Sequence, residues 1–159
     1  MIALTGQELL SWNDETAKRL EKLLAAHPEA LKLPCDIRET HTVGELLQHI
    51  VAVELRYVRR LAGLPEPDYA AIPTEPVEAI FAVHQEAVVE FAGLLSREDA
   101  FWDEVIAFAT RSRGELSATR RKVFAHALLH SIRHYAQLAT LLRDGGVPVD
   151  WNMDYLFTA

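Results

Sequence analysis

Cysteine is nearly absent from this chain: Cys35 is the single thiol in 159 residues. An internal disulfide is thereby excluded, which suits a reducing compartment. Asp36 beside it argues against a reactive role for that thiol. Glycine and proline are sparse, seven of each, and no segment is of low complexity. No apolar run approaches the ~18 residues of a membrane span, and the opening residues lack the basic-then-apolar pattern of a secretion signal. The expectation is a soluble, cytoplasmic protein with no membrane partner. Positive charge is also short: 16 Lys and Arg against 23 Asp and Glu leave a net charge of −7. Phosphate backbones require a basic face, so no nucleic-acid partner is expected. The basic cluster of Arg111, Arg113, Arg120, Arg121 and Lys122 reads as a solvated loop and helix start.

Several catalytic signatures are missing as well. There is no His-Glu-x-x-His protease motif. Glu45 precedes His49 by four residues, where a di-iron bundle needs three. No Gly-x-Ser-x-Gly elbow exists, and Ser131 falls in the middle of a helical stretch, which argues against a Ser/His/Asp hydrolase.

What the chain does contain is apolar residues (half of its composition) in helical periodicity. Its length fits one domain, residues 1–159, able to bury about two thirds of its unfolded surface. Thr5 to Glu8 forms a capping box, after which Leu9, Trp12, Leu20, Leu23 and Leu24 follow a helical period until Pro28. His27 would complement the dipole at that helix's end. A loop of about fourteen residues carrying Pro34 and Cys35 is long enough to cover part of a pocket. Thr42 to Glu45 is a second capping box, opening a helix through Leu46, Ile50, Val53 and Val58, with Gly63 just past its end. His41 precedes that cap as a loop residue.

Residues 64–73, punctuated by Pro65, Pro67 and Pro73, form a linker. Thr74 is then expected to cap a third helix with Pro76 in its first turn and a stripe of Ile80, Val83, Ala87 and Phe91. His84 and Glu90 fall off that stripe and read as surface. Residues 96–116 suit an irregular crossover with some extended structure, either a short helix capped near Ser96 or a strand turning at Arg113-Gly114. Ser117 caps the last long helix, which runs to a Gly145-Gly146 end. The tail, with Trp151, Tyr155 and Phe157, should pack back on the body. The fold class is all-α: a four-helix bundle with a short irregular crossover before the last helix. Bundle interiors are usual places for a cofactor.

Within the last helix, His126, His130 and His134 recur every four residues, near one face. Neighbours four apart bring their Cβ atoms to roughly 6 Å, close enough to share an ion. The outer two are about 12 Å apart along the axis, too far for one ion with bonds of ~2.0–2.1 Å. One adjacent pair therefore needs a third ligand from a facing helix. His49 lies among Leu46, Ile50 and Val53 on a presumed core face and is the candidate. Three neutral imidazoles around a divalent ion leave a position open, the mark of a catalytic site. A His49 ring more than about ten ångströms from the pair is incompatible with a shared ion. A bundle whose histidines are merely core residues is the alternative that spacing leaves open.

The stretch His126-Ala-Leu-Leu-His130-Ser-Ile-Arg-His134-Tyr-Ala-Gln137 resembles the signature of the DinB/YfiT-like superfamily, in which a histidine, an Asn-His pair and a His followed by Arg-x-Gln recur. The His49 helix, the Trp12-Asn13 start, and the Gly-Gly-Val-Pro and Asp-Tyr-Leu segments of the tail are similar too. The resemblance implies a four-helix bundle in up-down-down-up order, commonly a homodimer. It also implies a divalent metal, often zinc or nickel, held by His49, His130 and His134, with His126 beside the site. It further implies a metal-dependent transferase or isomerase acting on a small molecule with a low-molecular-weight thiol. The alternative is a non-catalytic metal- or small-ligand-binding stress-response bundle. This chain departs from the pattern at Leu129 and Tyr135, where the family has Asn and Arg. Both changes remove polar groups that orient ligands, a loss that Gln137 and Glu45 can partly offset. His126, Gln137 and Glu45 wait near the site, but none is marked out as a general base.

Overall fold

The computed structural model describes residues 4–110 and 113–158. The described chain is mostly helical: α1 (Gly6–Ala26), α2 (Val43–Ala62), α3 (Val77–Leu94), a short α4 (Asp99–Asp103) and α5 (Arg120–Asp144). Strands β1 (Val105–Thr110) and β2 (Gly114–Thr119) form an antiparallel pair between α4 and α5. Among the described residues, no helix is long and apolar enough to cross a membrane.

Local chemistry sets where each helix begins. At α1 the capping box is complete: the Thr5 hydroxyl accepts from the Glu8 amide at 3.1 Å, and the Glu8 carboxylate accepts from the Thr5 amide at 2.7 Å. At α2 the box is half formed. Thr42 accepts from the Glu45 amide at 3.2 Å, but the Glu45 carboxylate reaches one residue further back, to the His41 amide at 2.7 Å.

The expected caps of the other two long helices are corrected by the structure. α3 starts at Val77 behind Pro76, with no side-chain cap. Thr74 instead packs its carbonyl against the start of α2, where a Cβ on Gly44 would come within 2.5 Å of it. α5 is capped by Thr119, whose hydroxyl accepts from the Lys122 amide at 3.2 Å. Ser117 lies in β2 opposite Ala107, and because the ladder runs on to Thr119, the helix cannot begin earlier. The crossover is thus an ordered hairpin, not an irregular segment. The short α4 follows Glu98 without a side-chain cap. Arg111 of the basic cluster lies outside the described residues. Arg120 and Arg121 of that cluster pair with Glu104 and Asp103.

The four long helices touch in a cycle: α2 packs on α3 and α5, and α1 packs on the same two. Leu20, Leu24, Leu46, Leu47, Ile50, Ile80, Phe81, Phe91 and Leu138 are fully buried where they meet. Phe91 and Phe124 stack edge-on with centroids 5.4 Å apart, and Trp102 of α4 meets Phe124 at 5.3 Å, fastening the hairpin's root to the core. The tail folds back as expected. Trp12 donates from its indole to the Met153 carbonyl at 2.8 Å and meets Tyr155 at 5.6 Å, although Leu156 remains 83 % exposed.

Candidate metal centre

α2 and α5 cross with their histidines facing each other. The His49 ring centroid lies 4.9 Å from that of His130 and 5.1 Å from that of His134, which are themselves 4.4 Å apart. One ligand-type nitrogen from each of the three falls within 4.8 Å of the others. The Nε2 atoms of His49 and His130 are 3.1 Å apart. Two nitrogens bound to one ion at ~2.0–2.1 Å in tetrahedral geometry sit roughly 3.3 Å apart, so the rings are near the spacing an ion needs. His126, a turn earlier on α5, stands outside this trio against Tyr57, with ring centroids 5.7 Å apart.

The protonation of His134 is fixed from both sides. Its Nδ1–H donates to Gln137 Oε1 at 2.7 Å, an oxygen that can only accept. Its Nε2 accepts from Arg133 Nη2 at 3.2 Å, a group that can only donate. The lone pair is therefore on Nε2 and turned away from Gln137, as the orienting partner of a metal-binding histidine would arrange it. That lone pair can serve Arg133 or an ion, not both.

Burial, followed by the neighbouring His134, His49 and Arg133, pushes His130 well below the ordinary histidine range. Burial and Arg133 also lower His134, against the opposing hydrogen bond to Gln137. Rings held neutral keep their lone pairs for an ion. The Nδ1 of His130 is buried with no hydrogen-bond partner among the described residues. Three converging imidazoles are a donor set that zinc, nickel and similar ions favour. The residues present can hold a metal ion.

His49 and His130 of the trio open onto a cavity of about 980 Å³ between α2, α5, the hairpin and the loop before α2, with His134 buried behind them. Arg38, Glu39 and Thr40 of that loop line it, so the expected covering role is met. Glu45 and His126 also reach the cavity. The residues that the spacing argument missed are the arginines of the wall, Arg38, Arg56, Arg60, Arg113 and Arg133. They are scattered over four segments of the chain, and only Arg113 falls in a local pattern, the basic cluster read as a solvated loop.

A second polar cluster lies apart from the trio and corrects the surface reading of His84. His84 is 1 % exposed. Its Nδ1 meets Glu54 Oε2 at 2.7 Å and its Nε2 meets Asp14 Oδ1 at 3.3 Å. Asn13 donates to the other Glu54 oxygen at 3.1 Å. Burial opposes charge on His84, but the Glu54 and Asp14 carboxylates outweigh it and raise the ring to about 9. A signal was present, since Ile80, His84 and Ala87 follow a helical period. Glu90, also expected at the surface, is partly buried and accepts from Arg59 at 2.6 Å. The cluster ties α1, α2 and α3 together with charge. Tyr135, where the family has Arg, is fully buried; burial, then the Glu54 and Asp14 charges, pushes its hydroxyl well above the usual range.

Compared with known proteins, residues 1–159 match the model of the DinB family. No curated protein matches the chain.

Proposed function

The chain belongs to the DinB family, and on that premise we propose that it is a divalent-metal protein acting as a metal-dependent transferase with a low-molecular-weight thiol. His49, His130 and His134 are the proposed ligands, and zinc or nickel the proposed metal. The observation that carries this reading is the convergence of three imidazoles, two of them lining a cavity large enough for a small-molecule substrate. The helix cycle is read as a single four-helix bundle domain in up-down-down-up order. Four sets of contacts support that order. Glu54 and Arg59 of α2 meet His84 and Glu86 of α3, rising together. Along α2, His49 and Tyr57 meet His130 and His126 of α5, running oppositely. Asp14 of α1 meets His84 of α3, and Gly6 faces both Leu95 and Phe124. A homodimer in the cytoplasm is carried over from the family resemblance.

A divalent ion held there supplies Lewis acidity, lowering the pKa of a thiol that reaches it. The chain does the rest. Gln137 holds the His134 tautomer, and burial keeps His130 neutral at pH 7. Arg60 lies 4.7 Å over both Tyr57 and Phe108, making a rigid wall for whatever enters. A second reading, a non-catalytic metal- or small-ligand-binding bundle, draws on Leu129 and Tyr135. Leu129 is 48 % exposed and Tyr135 points into the core, so neither offers a polar group to the ligands.

The two readings separate in one experiment. Untagged protein prepared without chelators is analysed for metal and assayed for conjugation of common cellular thiols to generic electrophiles. Metal-dependent turnover that vanishes in His130→Ala supports the transferase. One equivalent of metal with no thiol-dependent turnover leaves the binding bundle.

A further inference from the structure

The chain is acidic overall, yet the wall of the cavity beside the histidines is not. Five arginines line it against two carboxylates, Glu39 and Glu45. The Glu45 carboxylate is engaged by the His41 amide. Arg56 and Arg60 share a single counter-ion, Glu66, at 3.0 and 2.7 Å. Counting all three carboxylates, two positive charges remain unbalanced. Arg38, Arg113 and Arg133 have no carboxylate within ion-pair distance among the described residues.

A cavity is an expensive place to gather like charges, since low-dielectric walls focus their repulsion. The placement of Arg38 adds a backbone cost. Arg38 and Glu39 are consecutive non-glycine residues in the left-handed region, at φ 55° and 62°, a conformation that persists only where its surroundings enforce it. Guanidinium groups present planar forks matched to carboxylate and phosphate oxygens. Arg133 stands beside the histidine trio, within hydrogen-bond reach of His134. Arg38 comes from the loop before α2 and Arg113 from the hairpin turn just before β2.

We infer that the cavity recognises a small molecule bearing at least two anionic oxygen groups, carboxylate or phosphate, with Arg133 and Arg38 as its principal anchors. The inference rests on reading this cavity as the place where the proposed site meets its substrate. A dianion neutralises the two unbalanced charges, and a monoanion leaves one of them uncompensated.

Succinate and inorganic phosphate serve as probes, with acetate as the monoanion control. Each is titrated into the full-length metal-loaded protein at low ionic strength, following arginine Nε–H resonances and heat. Succinate or phosphate is expected to saturate at least tenfold more tightly than acetate, and whichever is tighter identifies the oxyanion. Arg38→Gln and Arg133→Gln are each expected to weaken that probe by about tenfold or more without lowering metal content. Both side chains are exposed, and a circular-dichroism spectrum confirms that the variants fold. Lack of saturation by either dianion below about 10 mM overturns the inference. Equal binding by wild type and both variants overturns it too. The metal reading is scored separately. If the protein holds no metal yet succinate binding depends on Arg38 and Arg133, the anion site stands and the metal proposal falls. If metal is retained and no dianion binds, only the anion site falls.

Discussion

The buried His84 ring ties the stability of the protein to alkaline pH. In an unfolded chain a histidine titrates near 6.5; between Glu54 and Asp14 it is raised to about 9. A group whose folded pKa is raised contributes stability that is fully present below the unfolded value. It declines as pH rises through the folded one. At 1.36 kcal/mol per unit, the rise is worth about 3 kcal/mol, a large share of the ~5–15 kcal/mol that holds a domain together. The Asp14 carboxyl is held far below its usual range even though burial opposes this, because His84, Lys18 and Gln85 bond to it. That effect and the rise at His84 are two views of one interaction and count once.

Urea unfolding of the metal-free protein at a series of pH values reads this directly. Wild type is expected to lose about 3 kcal/mol between pH 6.5 and just above 9. His84→Gln strands Glu54, which is 1 % exposed, and should cost ~3–5 kcal/mol at pH 6.5. The His84→Gln/Glu54→Gln double variant removes both charges, recovers part of that loss and flattens the alkaline slope. Ring resonances of His84 in wild type provide an independent check that needs no variant. A midpoint at or below 6.5, or the same alkaline slope in wild type and the double variant, refutes the reasoning.

Three further outcomes follow from particular contacts. Gln137→Leu removes the acceptor that fixes His134, and titration with a competing chelator should show metal affinity reduced by ~10–100-fold with little change in fold. Arg133→Gln should act in the opposite direction, tightening metal severalfold in the same assay, because it removes both a competing donor on His134 Nε2 and a nearby positive charge. Phe91→Ala, fully buried and edge-on to Phe124, should lower unfolding free energy by ~3–5 kcal/mol. Its metal stoichiometry should stay that of wild type, since the lesion lies in the α3 packing.

How much of this was legible in the residues follows from range. The capping box at Thr5, the Gly145-Gly146 end and the i, i+4 histidines are local patterns, and each sits where periodicity puts it. Spacing could narrow the trio to one adjacent pair plus His49, and the family resemblance selected His130 and His134. The failures were cases in which a distant partner changed the outcome. Ser117 is a good cap by type, but the pairing of Val105 with Thr119 claims it for a strand. Thr74 is drawn into packing against Gly44. A histidine on α3 looks like surface until Glu54, thirty residues away, supplies its charge partner. The arginine-lined cavity is assembled from α2, α5, a hairpin and a loop, and although the long loop hinted at a pocket, the gathering of its arginines has no one-dimensional trace.

The central claim is that imidazoles from two distant segments share one ion. X-ray absorption at the metal edge of protein purified without chelators or a histidine tag tests it most directly. The account predicts one ion per chain with about three imidazole nitrogens at ~2.0–2.1 Å and at least one exchangeable oxygen ligand. That imidazole shell should be lost in His49→Ala. A sulfur-dominated shell, or an identical spectrum in wild type and His49→Ala, would contradict it.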